Sequence, residues 1–93
     1  MQFVVVSYDI PDDKRRLRVA SVLLDFGAAR VQRSVFELYV TTKHFDRLRT
    51  RLAELHNNEE DSLRFYLLCG TCRDKVVYLG QAAPIDEPGL RII

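Results

Sequence analysis

The stretch of this chain best suited to chemistry is Val-Val-Val-Ser-Tyr-Asp-Ile-Pro-Asp-Asp-Lys-Arg-Arg, Val4 to Arg16. A run of apolar β-formers ends in Tyr8-Asp9, crosses Ile10-Pro11 and enters a charged segment that reads as a helix start. Asp9 therefore stands where a strand gives out. As an Asx-type turn or cap it would accept hydrogen bonds from amides around Pro11. As a metal ligand it would serve a hard divalent cation such as Mg²⁺, which prefers oxygen donors and keeps several waters, so that one or two carboxylates hold it near a phosphate. One chain offers one such Asp, and a symmetric dimer offers two.

Arg15, Arg16 and Arg18 follow at once, and Arg30 and Arg33 come after the helix, near the same end of a sheet. A charge cluster is commonly a solvated face. Arg16 argues against that, because helical spacing puts it on the side of Ala20 and Leu23, where an idle charge is costly. Eleven of the fourteen basic residues are Arg, whose planar fork matches phosphate oxygens as Lys does not. Cys69 and Cys72 have the spacing of a metal or redox pair. Zinc would need two more ligands, and neither His44 nor His56 has ligand-like spacing to the pair. A thioredoxin-type motif opens a helix, whereas this pair is expected to end a strand. It reads as structural or incidental, as do both histidines. No Gly-rich phosphate loop, nucleophile elbow or HExxH is present.

The elements that must position these residues follow from periodicity. Gln2 to Tyr8 is apolar on both faces, as expected of a central strand. A helix is predicted from about Pro11 to Phe26, with Asp12 and Asp13 at the positive end of its dipole and Gly27 as its stop. Its polar stripe, Lys14, Arg18, Ser21 and Asp25, is narrow, with Leu17, Ala20 and Leu24 on one flank and Val19, Val22 and Phe26 on the other. Val31 to Val40 reads as two short strands joined by a tight turn at Gln32-Arg33-Ser34, the second strand being Val35 to Val40. Phe45, Leu48, Leu52 and Leu55 repeat at helical spacing behind a possible cap at Thr42. Ser62 to Cys69 and the shorter Lys75 to Leu79 complete the strands. The order is βαββαβ, the ferredoxin-like α+β arrangement, in which two helices cover one face of an antiparallel sheet, with an extra C-terminal strand and tail. The other face carries apolar residues and is left open, so the simplest cover is a second copy. The tail, Pro88-Gly89-Leu90-Arg91-Ile92-Ile93, suits addition to a neighbour's sheet edge.

Ninety-three residues with no internal composition shift make one domain, 1–93, small enough that a partner chain would help it. The apolar fraction of 47% and charged fraction of 29% are globular values, and no long apolar run or cationic leader appears, so the expected location is the cytoplasm, away from membranes. A net charge of +1 excludes a protein coated in positive potential. Two Cys are too few for a disulfide scaffold.

Three stretches together carry a resemblance: Val6 to Gly27 (VSYDIPDDKRRLRVASVLLDFG), Arg30 to Glu37 (RVQRSVFE) and Asp61 to Tyr66 (DSLRFY). In this order and spacing they resemble the small CRISPR-associated adaptation protein, the second of the two core families that capture new spacers. The resemblance spans most of residues 1 to 80. It implies a homodimer built by facing sheets, with the 75–93 segment crossing to the partner. It also implies a divalent ion between two copies of Asp9, and metal-dependent cleavage of RNA or DNA phosphodiesters in some members. In others the dimer is a non-catalytic spacer between two dimers of the CRISPR integrase, holding the DNA to be inserted. Asp9 matches the metal-binding, catalytic position and Tyr8 the aromatic beside it. Arg16, Arg18 and Arg30 match phosphate-holding positions, Phe36 an aromatic near the dimer cleft, with Arg33 and Ser34 as weaker matches. A third reading, a small-ligand regulatory domain of the same fold, ranks last because few side chains converge on one ligand.

Overall fold

The computed structural model describes residues 1–85 and 87, so the expected tail Pro88 to Ile93 lies outside the described residues. The chain runs β1 (Gln2–Asp9), α1 (Asp13–Asp25), β2 (Ala29–Gln32), β3 (Val35–Val40), α2 (Thr42–Leu55), β4 (Ser62–Leu68) and α3 (Gly70–Asp74). The four strands form one sheet in the order β2-β3-β1-β4, every pair antiparallel, with β1 central as its two-sided apolar pattern predicts. The fold is the expected ferredoxin-like α+β arrangement.

Strand alternation sorts the sheet into two faces. Val4, Val6 and Tyr8 of β1 and Phe36, Leu38 and Val40 of β3 join Val19, Ala20, Val22 and Leu23 of α1 and Phe45, Leu48 and Leu52 of α2 in one core. Fully buried side chains such as Leu23, Leu38 and Leu48 each stabilise the fold by about 1.5–3 kcal/mol. The opposite face carries Phe3, Val5, Ser7 and Asp9, then Val35, Glu37 and Tyr39, then Arg64, Tyr66 and Leu68, and neither α1 nor α2 covers it.

The helix ends are specified locally. Asp12 is the cap of α1, its carboxylate accepting from the Arg15 amide at 2.8 Å. Gly27 follows the helix with φ +87°, a left-handed conformation that glycine adopts without strain, so the helix stops where the sequence places the stop. α2 is capped by Thr41 rather than Thr42, the Thr41 hydroxyl accepting from the His44 amide at 3.2 Å. The predicted flanks of α1 divide: Ala20 and Val22 are buried, while Leu17 and Leu24 are 66% and 52% exposed.

Two expectations about the C-terminal part are corrected. Cys69-Gly70-Thr71-Cys72 opens a helix: Cys69 is the cap of α3. Lys75 to Leu79 is not a strand. Lys75 ends α3, and Val77 and Leu79 are largely exposed. Its β-rich composition pairs with no strand among the described residues, and strand propensity is realised only against a neighbour. Instead Arg73 packs over the Tyr39 ring at 5.4 Å and hydrogen-bonds the Tyr39 hydroxyl and, at 3.0 Å, Glu87. Val76, Tyr78 and Ile85 thereby come to lie beside Phe3 and Tyr39, at one end of the open face.

Candidate active site at the end of the central strand

Asp9 is exposed at the last position of β1, opposite Ser62 of β4, and alternation puts it on the open face with Ser7. The cap and turn work considered for it falls to Asp12. The Asp9 carboxylate forms no hydrogen bond or ion pair among the described residues, although Asp12 and Asp13 just beyond the loop are both engaged. An unengaged carboxylate at a strand end is available to a ligand.

The surrounding residues fix its position. The Tyr8 amide donates to the Ser34 carbonyl at 3.1 Å, which draws the Arg33-Ser34 turn to the same end of the sheet. Arg16 donates to the Ile10 carbonyl at 3.0 Å and pairs with Asp13, so its half-buried charge is satisfied on the residue that follows Asp9. On the helix-covered face the Arg30 guanidinium lies 5.0 Å from the Phe36 ring centre, and Phe36 stacks on Tyr8 with centres 6.0 Å apart. The Tyr8 hydroxyl is buried without a partner. Tyr8, Ser34, Phe36 and Arg30 are thus linked through contacts near one sheet end, Arg16 is anchored on Ile10, and the Asp9 side chain belongs to the opposite sheet face. Arg18 and Arg33 are exposed and form no side-chain hydrogen bond or ion pair among the described residues, though Arg33 sits in the same turn as Ser34.

Two features of this end escape sequence reasoning. Arg15, grouped above with the phosphate-holding cluster, is committed to the fold: it donates to Asp61 at 2.7 and 3.0 Å and to Glu60 at 2.9 Å. The Asp61 side chain is fully buried and also accepts from the Asn57 amide at 2.8 Å. The Arg15 hydrogen bonds, opposed by desolvation, hold the Asp61 carboxyl below its ordinary range. This pair ties the start of α1 to the loop before β4. The sequence signal was present, since Asp61 heads a quoted motif, but its partner is 46 positions away. Second, Glu37 has a buried carboxylate oxygen without a partner on the open face, and burial pushes its carboxyl up.

His56 is the other titrating residue nearby. Its Nδ1 lies 2.6 Å from the Ala53 carbonyl and its Nε2 2.7 Å from the Asn58 side-chain oxygen. Two acceptors favour the doubly protonated ring, so the Asn58 and Ala53 bonds raise its pKa. His56 and Asp61 line a groove of about 710 Å³ between α2 and β4 that does not include Asp9. Small-molecule enzymes work in concave pockets. Asp9 instead lies on an open surface, which suits an extended polymer and counts against a small-ligand regulatory domain.

Fold and site together define a ferredoxin-like domain carrying a free carboxylate at the end of an open sheet face. The family described as CRISPR associated protein Cas2 matches residues 1–76. The chain is 42% identical over 93 residues, all of both chains, to CRISPR-associated endoribonuclease Cas2 3 of Synechocystis sp.. Its structure is similar to that of Streptococcus pyogenes Cas2, with TM-score 0.72 and 37% identity, covering 84% of this chain and 99% of that one. It is also similar to a chain of a partial Cas6-RT-Cas1–Cas2 complex, with TM-score 0.71 and 26% identity, covering 85% and 91%. The chain belongs to the Cas2 family of CRISPR-associated proteins.

Proposed function

We propose that this protein acts in CRISPR spacer acquisition as a homodimeric, divalent-metal-dependent endonuclease on RNA or DNA, with Asp9 as the metal ligand. The observation that carries the reading is the free Asp9 carboxylate on the open sheet face, in a family whose relatives are named endoribonucleases. One carboxylate per chain fits Mg²⁺, because that ion keeps several waters and takes the remaining oxygens from phosphate and a second carboxylate. No group of three or more potential ligands occurs among the described residues, so the twofold copy of Asp9 is needed to complete the set. When bound, the ion polarises a phosphoryl oxygen and acidifies a water.

The chain's own residues do the rest. Arg16 and the Tyr8–Ser34 hydrogen bond hold the Asp9 backbone in place, and the Phe36–Tyr8 stack keeps the strand end rigid beneath it. Arg18, Arg30 and Arg33 offer exposed guanidinium groups to backbone phosphates. Incubating the purified protein with RNA and with DNA, with Mg²⁺ and with chelator, tests the reading: metal-dependent cleavage supports it, and no cleavage of either polymer counts against it.

The second reading is a non-catalytic DNA-binding scaffold between two integrase dimers. It is favoured by the similar chain found in a complex with Cas1. Both readings require phosphate contacts. Arg30→Ala is expected to weaken binding alike across sequences and to reduce the slope of log K on log salt by about 1. An unaltered slope, measured by titration at several salt concentrations, assigns Arg30 to packing on Phe36 alone.

Dimerisation is supported by the open face, where Val5, Val35, Tyr66 and Leu68 present apolar surface and Glu37 lacks a partner. Removing Gly89 to Ile93, which lie outside the described residues, is expected to weaken the dimer roughly tenfold or more, as loss of a few main-chain hydrogen bonds would. Sedimentation checks this, and an unchanged dimerisation constant removes the tail from the interface.

A further inference from the structure

We propose that Cys69 and Cys72 form a reactive dithiol, with Cys69 as the attacking sulfur and Cys72 as the resolving one, which closes to a reversible disulfide on meeting a low-molecular-weight disulfide. The pair lies at the junction of β4 and α3, and no role described above uses it. Three observations carry the inference. Both thiols are free and exposed. They are neighbours in space as well as sequence: the Cys72 amide donates to the Cys69 sulfur at 3.4 Å. The helical turn between them is already formed, with the Cys69 cap at φ −70° and ψ 168°, so the backbone does not have to be gathered before the sulfurs meet. The two sulfurs are also unequal. The hydrogen bond from the Cys72 amide lowers the pKa of Cys69, whereas the neighbouring Cys69 raises that of Cys72.

The chemistry balances without a metal. The Cys69 thiolate attacks one sulfur of the oxidant, RSSR, forming a mixed disulfide and expelling RS⁻. Cys72, on losing its proton, attacks the Cys69 sulfur and expels the second RS⁻, which takes up a proton. The protein dithiol is oxidised by two electrons and RSSR is reduced to two RSH. The ring closes over Gly70-Thr71, within the first turn of α3, and leaves Arg73 on its Tyr39 and Glu87 partners. The site is therefore independent of Asp9.

Glutathione disulfide is the probe, and intact mass after acid quenching is the readout. The full-length protein is expected to lose two hydrogens per chain and to regain them with dithiothreitol. Cys72→Ser is expected to stop at one glutathionyl group, and Cys69→Ser to react at least roughly tenfold more slowly than Cys72→Ser. Stable glutathionyl adducts on the unaltered protein, or disulfides between chains, overturn the proposal. Equal rates for the two Ser variants overturn the assignment of Cys69 as the attacking sulfur.

Discussion

Asp9→Asn is expected to abolish Mg²⁺-dependent cleavage while leaving the fold, the dimer and duplex binding intact. Asn keeps the size of the side chain and its capacity for turns but removes the charge that attracts a cation. A divalent ion contributes several kcal/mol of transition-state stabilisation, so the rate should fall roughly 10³-fold or further. The structure explains why so large an effect on activity should carry almost none on stability: the Asp9 carboxylate supports no hydrogen bond among the described residues, and Asp12 does the capping. Cleavage assays on variant and parent, with circular dichroism and sedimentation on the same samples, check both halves. A variant that cleaves at the parent's rate removes Asp9 from the chemistry. A parent that never cleaves, with spacer capture surviving the substitution, leaves the scaffold reading.

The second large effect is on stability. Asp61→Ala is expected to lower Tm by roughly 10 °C, because it leaves the Arg15 guanidinium and the Asn57 amide without their shared acceptor. The effect carries a pH signature. Asp61 has a depressed pKa in the folded chain, so its contribution is complete above the ordinary carboxylate value of about 4 and is lost as pH falls through the lower folded value. His56 has a raised pKa, so its contribution is complete below about 6.5 and is lost as pH rises through the higher folded value. Stability should be greatest between those limits. Asp61→Ala should flatten the acid side of the profile and His56→Gln the alkaline side, as thermal melts across pH would read. An Asp61→Ala profile parallel to the parent's would assign the loss to packing.

The sheet was legible because β1 and β3 carry plain alternation or two-sided apolar runs, and α2 because four apolar residues recur at one spacing. The Lys75 to Leu79 strand was misread for the same reason that the others were read: Val76, Val77, Tyr78 and Leu79 have strand composition, but composition does not supply a partner edge. Cys69 was taken to end a strand, but β4 stops at Leu68, and the helix that Cys69 caps rests on a single turn that no periodicity announces. The position of Asp9 at a strand end, shortly before a helix start, was legible in the sequence. The divided fates of its arginine neighbours were not. Arg15, Arg16 and Arg18 stand close together in sequence, yet one pairs with Asp61, one holds the Ile10 carbonyl and one has no partner among the described residues. Helical rotation of 100° per residue separates them, and only the position of the loop around Asp61 decides which is spent on the fold.

Counting ions per chain tests the central claim most directly. Mn²⁺, a spectroscopically visible substitute for Mg²⁺, can be titrated into the purified dimer and its free concentration followed by electron paramagnetic resonance. Two Asp9 carboxylates sharing one ion across a twofold axis predict one bound ion for two chains in the parent and none at that site in Asp9→Asn. Equal binding by parent and variant would contradict the account.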